Sequence, residues 1–337
     1  TSAPILATLG DSSTRTKSDC DPLALPGARL LTYGKGDSSR IWNLAKAEGE
    51  DLPFPQPSRP LLGATRAGDL VWIASAHGLT RWSSTQPTLQ LQQQPTFLAQ
   101  GILPLREGAL LFGRSLVPSQ AGSWALLSLF PWPEERPLPI HPTTHLVRAA
   151  VADRAQGRVF MTGGPTEALE QGGFLKGLTR TGGELRDGVE VRLKGAGLHL
   201  ALSPGEDRLF VGLNRYAAAL HQARDLHAAP LQLSPIAKGS SSPGLSDLLA
   251  IQSRSGLFIE GGLLMSCDWV AKERGWLCFF GTEQLASTQP GVDEIAYPLR
   301  IHALPGRARR LALSDDGRLL FVGTTRGQVL VLPALPQ

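Results

Sequence analysis

The run Arg310-Leu-Ala-Leu-Ser-Asp-Asp-Gly-Arg-Leu-Leu-Phe-Val-Gly-Thr, followed by Gly327-Gln-Val-Leu-Val-Leu, decides the fold. Apolar and polar residues alternate, stop at Asp316-Gly317, alternate again, stop near Arg326-Gly327 and alternate a third time. Period-two alternation broken by such turns is the pattern of three antiparallel strands joined by tight hairpins. A sheet that small cannot bury both of its faces alone, so the unit is expected to recur and stack.

It recurs along the whole chain. Upstream stand Leu248-Leu-Ala-Ile-Gln-Ser-Arg-Ser-Gly-Leu-Phe-Ile-Glu-Gly and Leu200-Ala-Leu-Ser-Pro-Gly-Glu-Asp-Arg-Leu-Phe-Val-Gly. Further copies begin at Ala149, Leu103, Leu62 and Leu23, which makes seven. Taking Gly27, Gly68, Gly108, Gly157, Asp207, Gly256 and Gly317 as the first turn of each copy, the separations are 41, 40, 49, 50, 49 and 61 residues. The 20 residues after Gly317 and the 26 before Gly27 together make one more repeat length, so the copies close into a ring. The expected fold is all-β: a single domain over residues 1–337, a seven-bladed β-propeller of four-stranded antiparallel blades. Segments such as Thr88 to Gln92, Val189 to Leu193 and Tyr297 to His302 supply outer strands. The last copy has no room for its own, so Pro4-Ile-Leu-Ala-Thr-Leu is expected to pair there and close the ring, removing an exposed edge.

Composition agrees. Of 337 residues 42% are hydrophobic and 18% charged, with 37 Gly and 26 Pro, which excludes a disordered tail, a coiled coil and a helix bundle. The most apolar run, Trp124 to Phe130, is closed by Pro131 and Pro133, too short for a membrane-spanning helix. The net charge of +4 is spread along the chain, which makes nucleic acid an unlikely partner. The chain starts at Thr1 without Met, and export and cytoplasmic residence stay equally open.

Ser314-Asp-Asp-Gly-Arg-Leu-Leu-Phe-Val-Gly, Gly327-Gln-Val-Leu-Val-Leu and Ser39-Arg-Ile-Trp-Asn-Leu resemble WD-repeat and YVTN-type seven-bladed propellers. The resemblance implies a platform for protein partners or ligands.

Catalytic signatures are missing from the sequence. There is no Gly-x-Ser-x-Gly elbow and no phosphate-binding Gly-x-x-x-x-Gly-Lys loop, and the glycines fall at hairpin turns. The seven histidines (His77, His141, His145, His199, His221, His227 and His302) are scattered, so no metal site and no cofactor are expected. No Cys-x-x-Cys-His haem attachment supports a redox carrier. Cys267 and Cys278 fall at facing positions of a hairpin turning near Ala271 to Arg274; a cross-strand disulfide and two reduced buried thiols are both open.

Laying the repeats over one another yields two basic constellations. Arg66, Arg106, Arg154 and Arg254 fall in turns between first and second strands, where they would ring one mouth of the channel. Arg307, Arg309, Arg310, His199 and Arg148 fall where innermost strands begin, at the opposite mouth. The reading is a non-catalytic protein-interaction module, a scaffold or accessory subunit of a larger assembly. The alternative is a propeller binding a small anionic ligand, or a lactonase-like enzyme, using His199 and Arg310. The loop-like segments Asp11 to Pro22 and Ala237 to Gly244 are candidate docking elements.

Overall fold

The computed structural model describes residues 5–9, 20–34, 39–46, 48–50, 52, 61–75, 78–83, 89–92, 97–106, 108–117, 122–128, 140–165, 172–181, 184–238, 251–269, 272–288 and 295–334. Seven antiparallel sheets follow one another in chain order. From the channel outward, blade 1 runs Asp21–Leu25, Arg29–Tyr33, Arg40–Asn43 and Glu48–Glu50; blade 2 runs Leu61–Ala67, Leu70–Ser75, Gly78–Trp82 and Leu89–Gln92. Blade 3 is Phe97–Leu105, Gly108–Ser115, Gly122–Ser128 and Ile140–Thr143, and blade 4 is Leu146–Ala152, Arg158–Gly164, Phe174–Thr181 and Glu184–Arg192. Blade 5 is Gly197–Leu202, Arg208–Leu213, Ala218–Gln222 and Leu231–Leu233; blade 6 is Ile251–Ile259, Gly262–Trp269, Arg274–Gly281 and Arg300–Leu304. Blade 7 takes Ala308–Leu313, Leu319–Thr324 and Val329–Pro333 from the C-terminal end and Ala7–Leu9 from the N-terminal end. The innermost strands touch pairwise in a closed ring.

The expected closure is present. Ala7, Thr8 and Leu9 pair antiparallel with Val331, Leu330 and Val329, and Leu6 N–H donates to the Val331 carbonyl at 2.8 Å.

The core lies between blades, not within them. Among the described residues, six clusters of buried side chains each straddle two neighbouring blades. This explains why the second strands read as continuous apolar runs: alternate residues face opposite blades, and both faces are covered. In Arg208–Leu213, Leu209 and Val211 pack toward blade 4 while Phe210 packs toward blade 6. Leu320 and Val322 likewise face blade 6 while Phe321 faces blade 1, and Phe160 faces blade 5. The glycine that follows in the Phe-Val-Gly motif has a steric reason. A Cβ at Gly212 would meet the Ser253 carbonyl of blade 6 at 2.5 Å, and one at Gly323 would collide with the Cys20 carbonyl of blade 1.

Three details depart from the sequence reading. The first turn of blade 6 lies at Gly261 (φ +84°), with Ile259 paired to Gly262, and not at Gly256. Ser253 to Gly256 looked like a turn because a bulge between Gln252 and Ser255 interrupts the alternation there. Secondly, the outer strand of blade 6 is Arg300–Leu304, starting later than Tyr297. Ile295–Ala296, just before it, pairs in parallel with Gln232 and Leu233, giving blade 5 a fifth strand. Thirdly, Cys267 pairs with Trp276 and Cys278 with Met265, so the cysteines are diagonal neighbours; both are free thiols. Burial, reinforced by the neighbouring Cys278, raises the Cys267 pKa well above its usual value. His77 and most of the segments 11–22 and 237–244 lie outside the described residues.

Phe210 is fully buried at a blade seam. Phe210→Ala is expected to lower unfolding free energy by about 3–5 kcal/mol, and Gly212→Ala by about 1–3 kcal/mol, both read from urea denaturation midpoints.

Candidate functional site

Six of the seven innermost strands break register once near their start: at Leu61/Gly63, Ala99/Gly101, Val147/Ala149, Gly197/His199, Gln252/Ser255 and Ala308/Leu311. A bulged residue leaves the ladder and its side chain is re-aimed. The residues at these breaks include Arg148, Arg254, Arg309 and Arg310, and all four line one cavity of about 520 Å³ in the channel. Every innermost strand contributes to its wall, from Asp21 in blade 1 to Arg310 in blade 7. The wall is two-sided. Blades 4 to 7 present Arg148, His199, Arg254, Arg309 and Arg310, whereas blades 2 and 3 present mostly small and apolar groups such as Leu62, Ala64, Ile102 and Leu103.

The structure thus gathers Arg148, His199, Arg309 and Arg310 as the repeat alignment expected, and moves Arg254 to join them. Arg254 lies in the bulge of blade 6, not in a turn at the opposite mouth. Arg307 stands just before the innermost strand of blade 7, outside the cavity wall.

The arginines differ in what holds them. Arg309 forks onto Asp21 of blade 1, Nε to Oδ1 at 3.0 Å and Nη2 to Oδ2 at 3.4 Å. Arg307 Nε donates to Asp268 Oδ2 at 2.9 Å, and Arg254 Nε lies 3.5 Å from the same oxygen. Burial raises the Asp268 pKa, opposed by those two guanidiniums. Arg310 Nη1 donates to the Tyr33 hydroxyl at 2.6 Å, which in turn donates to the Ala64 carbonyl at 3.4 Å, a chain across blades 7, 1 and 2. Burial raises the Tyr33 pKa, so the phenol stays neutral. Arg148 reaches the Pro165 carbonyl at 3.4 Å and is exposed. Its pKa is lowered, first by loss of solvent and then by the charge of Arg254.

His199 Nδ1 accepts from the Gly256 N–H at 3.3 Å, which leaves the ring proton on Nε2. Burial, then the charge of Arg310, lowers its pKa to about 3. At neutral pH it is an uncharged hydrogen-bond donor facing a cationic wall.

At the other mouth residues at or beside the first turns bind one another. Arg66 Nη1 and Nη2 fork onto Asp315 of blade 7, at 3.2 and 2.5 Å. The Arg106 N–H donates to Gln156 Oε1, and the Arg154 N–H donates to Glu206 Oε1 at 2.5 Å, each reaching into the next blade. Arg106 and Arg154 therefore lie in the turns as expected, whereas Arg66 lies within the innermost strand of blade 2, paired with Val71, and its guanidinium is held by a carboxylate.

Sequence reasoning missed the anionic and neutral partners Asp21, Tyr33 and Asp268. Asp268 carried a signal: it is a charge inside the apolar strand Gly262–Trp269, and such residues are rarely buried unless paired. Asp21 and Tyr33 carried none, because their partners Arg309 and Arg310 stand 288 and 277 residues away in sequence. The remaining histidines do not converge: His141 stacks on Trp124 at 4.0 Å, and the described residues hold no cluster of three or more metal-ligating side chains.

No protein-family model matches the chain, and no curated sequence does. Solved structures match in shape. The chain is similar to one in the crystal structure of the mitotic checkpoint complex, with a TM-score of 0.68 at 9% identity, over 99% of this chain and 96% of that one. It is also similar to the Dos1 propeller, with a TM-score of 0.59 at 11% identity, over 90% and 75% of the two chains. At such identities the likeness is one of fold: a seven-bladed β-propeller.

Two measurements test these electrostatics. His221 is 4% exposed, neither ring nitrogen has a partner among the described residues, and burial lowers its pKa to about 4. The unfolded chain takes up this proton below its ordinary value near 6.5 and the folded chain does not until about 4, so stability is full above pH 6.5 and is lost as pH falls. At pH 5 the loss is expected to be about 2 kcal/mol, read from urea midpoints, and His221→Phe should remove it. Asp268→Asn, which leaves Arg254 and Arg307 facing each other, is expected to cost about 3 kcal/mol in the same measurement.

Proposed function

We propose that this chain is a non-catalytic protein-interaction module, a subunit of a larger assembly, whose partner docks on the mouth where the innermost strands begin. The observation that carries this reading is the contrast between the two mouths. At one, residues at the blade ends are occupied with each other: Arg66 of blade 2 with Asp315 of blade 7, Arg106 with Gln156 and Arg154 with Glu206. At the other, an exposed arginine, Arg148, stands over a wall of further arginines, a field that attracts acidic segments. A structural neighbour solved within the mitotic checkpoint complex, a propeller-shaped chain in a protein assembly, supports the same reading.

The alternative of catalysis through His199 and Arg310 has less support. The Nδ1 of His199 is occupied and its Nε2 carries the proton, so the ring offers no free base.

Arg148 is the residue for the test, because Arg307, Arg309 and Arg310 hold blades together and their reversal would unfold the seam. Affinity capture from the native source with the parent chain and with Arg148→Glu, read by mass spectrometry, is expected to yield a partner kept by the parent. Charge reversal should weaken it by about tenfold or more. Equal recovery by both chains would overturn the docking face, and turnover of a substrate by the purified chain would overturn the non-catalytic reading.

A further inference from the structure

Among the described residues, two guanidiniums in the channel hydrogen-bond to neutral oxygens: Arg148 to the Pro165 carbonyl and Arg310 to the Tyr33 hydroxyl. Their neighbours are tied differently, Arg309 to Asp21 and Arg254 to Asp268. Arg148 belongs to blade 4 and Arg310 to blade 7, so in a seven-blade ring they stand on different sides of the channel. Between them, in blade 5, His199 adds a neutral N–H donor to the same wall. Loss of solvent and then the charge of Arg254 lower the Arg148 pKa, and an anion bound in the cavity beside it relieves that penalty.

We infer that the channel is a binding site for a phosphate-bearing ligand with at least two negative charges, its phosphate oxygens on the arc from Arg148 through His199 to Arg310. Guanidinium presents a planar fork that matches phosphate oxygens, and at neutral pH the His199 Nε2–H donates without adding charge. The facing wall of Leu62, Ala64, Ile102 and Leu103 takes the uncharged part of the ligand. A cavity of about 520 Å³ is the size of sites that enclose small organic ligands. A single carboxylate would answer only one of the two guanidiniums, which argues for the phosphate class. The inference does not rest on the partner reading, and the two tests fail separately.

The test is calorimetry of the intact chain at low salt against inorganic tripolyphosphate, against phosphoserine blocked at both ends, and against acetate. Tripolyphosphate binding tighter than phosphoserine assigns a free ligand, and the reverse assigns a phosphate carried on a protein; either supports the phosphate site. In both cases the Kd is expected to weaken by about tenfold or more in Arg148→Gln and by less in Arg148→Lys, which keeps the charge but loses the fork. Arg148→Gln is further expected to melt no lower than the parent without anion, and tripolyphosphate should raise the melting midpoint of the parent more than that of Arg148→Gln. No binding by either phosphate probe up to about 10 mM, equal binding by all three chains, or acetate binding as tightly as tripolyphosphate would each overturn the inference.

Discussion

The structure depends on the seam between neighbouring blades. No blade has an interior of its own: Leu209 and Val211 lean one way, Phe210 the other, and each sheet is buried only because another lies on each side. Apolar burial at roughly 25 cal/mol per Å² therefore stabilises the ring as a whole, and a blade cut out of it would expose both faces. The Phe-Val-Gly motif is the chemical form of this constraint. Its aromatic ring fills the seam toward the next blade, and its glycine lets that blade's innermost strand approach to contact.

The same close approach makes the channel site. Innermost strands crowded around one axis break register at nearly the same level, and the break turns a residue that would face a seam toward the cavity. Where that residue is Leu62 or Leu198 the wall is apolar; where it is Arg148, Arg254 or Arg310 the wall is cationic. A repeat fold thereby separates its tasks. Seam positions are constrained by packing, and the bulge positions vary in chemistry from blade to blade without changing the architecture.

The blade count, the turn residues of six repeats and the terminal closure were legible because period-two alternation and Asp-Gly or Gly turns act locally. Blade 6 was misread for the same reason. Its bulge at Ser253–Arg254 breaks the alternation just as a turn does, which put the turn at Gly256 and Arg254 at the wrong mouth. With the turn at Gly261 the last two separations become 54 and 56 residues, more even than 49 and 61. The arginines of the candidate site were visible from alignment of the repeats, but their partners were not. Asp21 and Arg309 meet across 288 residues of sequence, and Tyr33 and Arg310 across 277, distances at which only the closed ring defines a neighbour.

Closure by Ala7–Leu9 has a further consequence for the growing polypeptide. Leu9 pairs with Val329, which leaves the ribosome 320 residues later. At synthesis rates of roughly 5–20 residues per second, that segment waits for roughly 15–60 s before its mate exists. For that interval its strand is an unsatisfied edge, and the first blade lacks the neighbour that covers one of its faces. The ring is thus complete only once Val329–Val331 has been made and meets Ala7–Leu9 in one sheet.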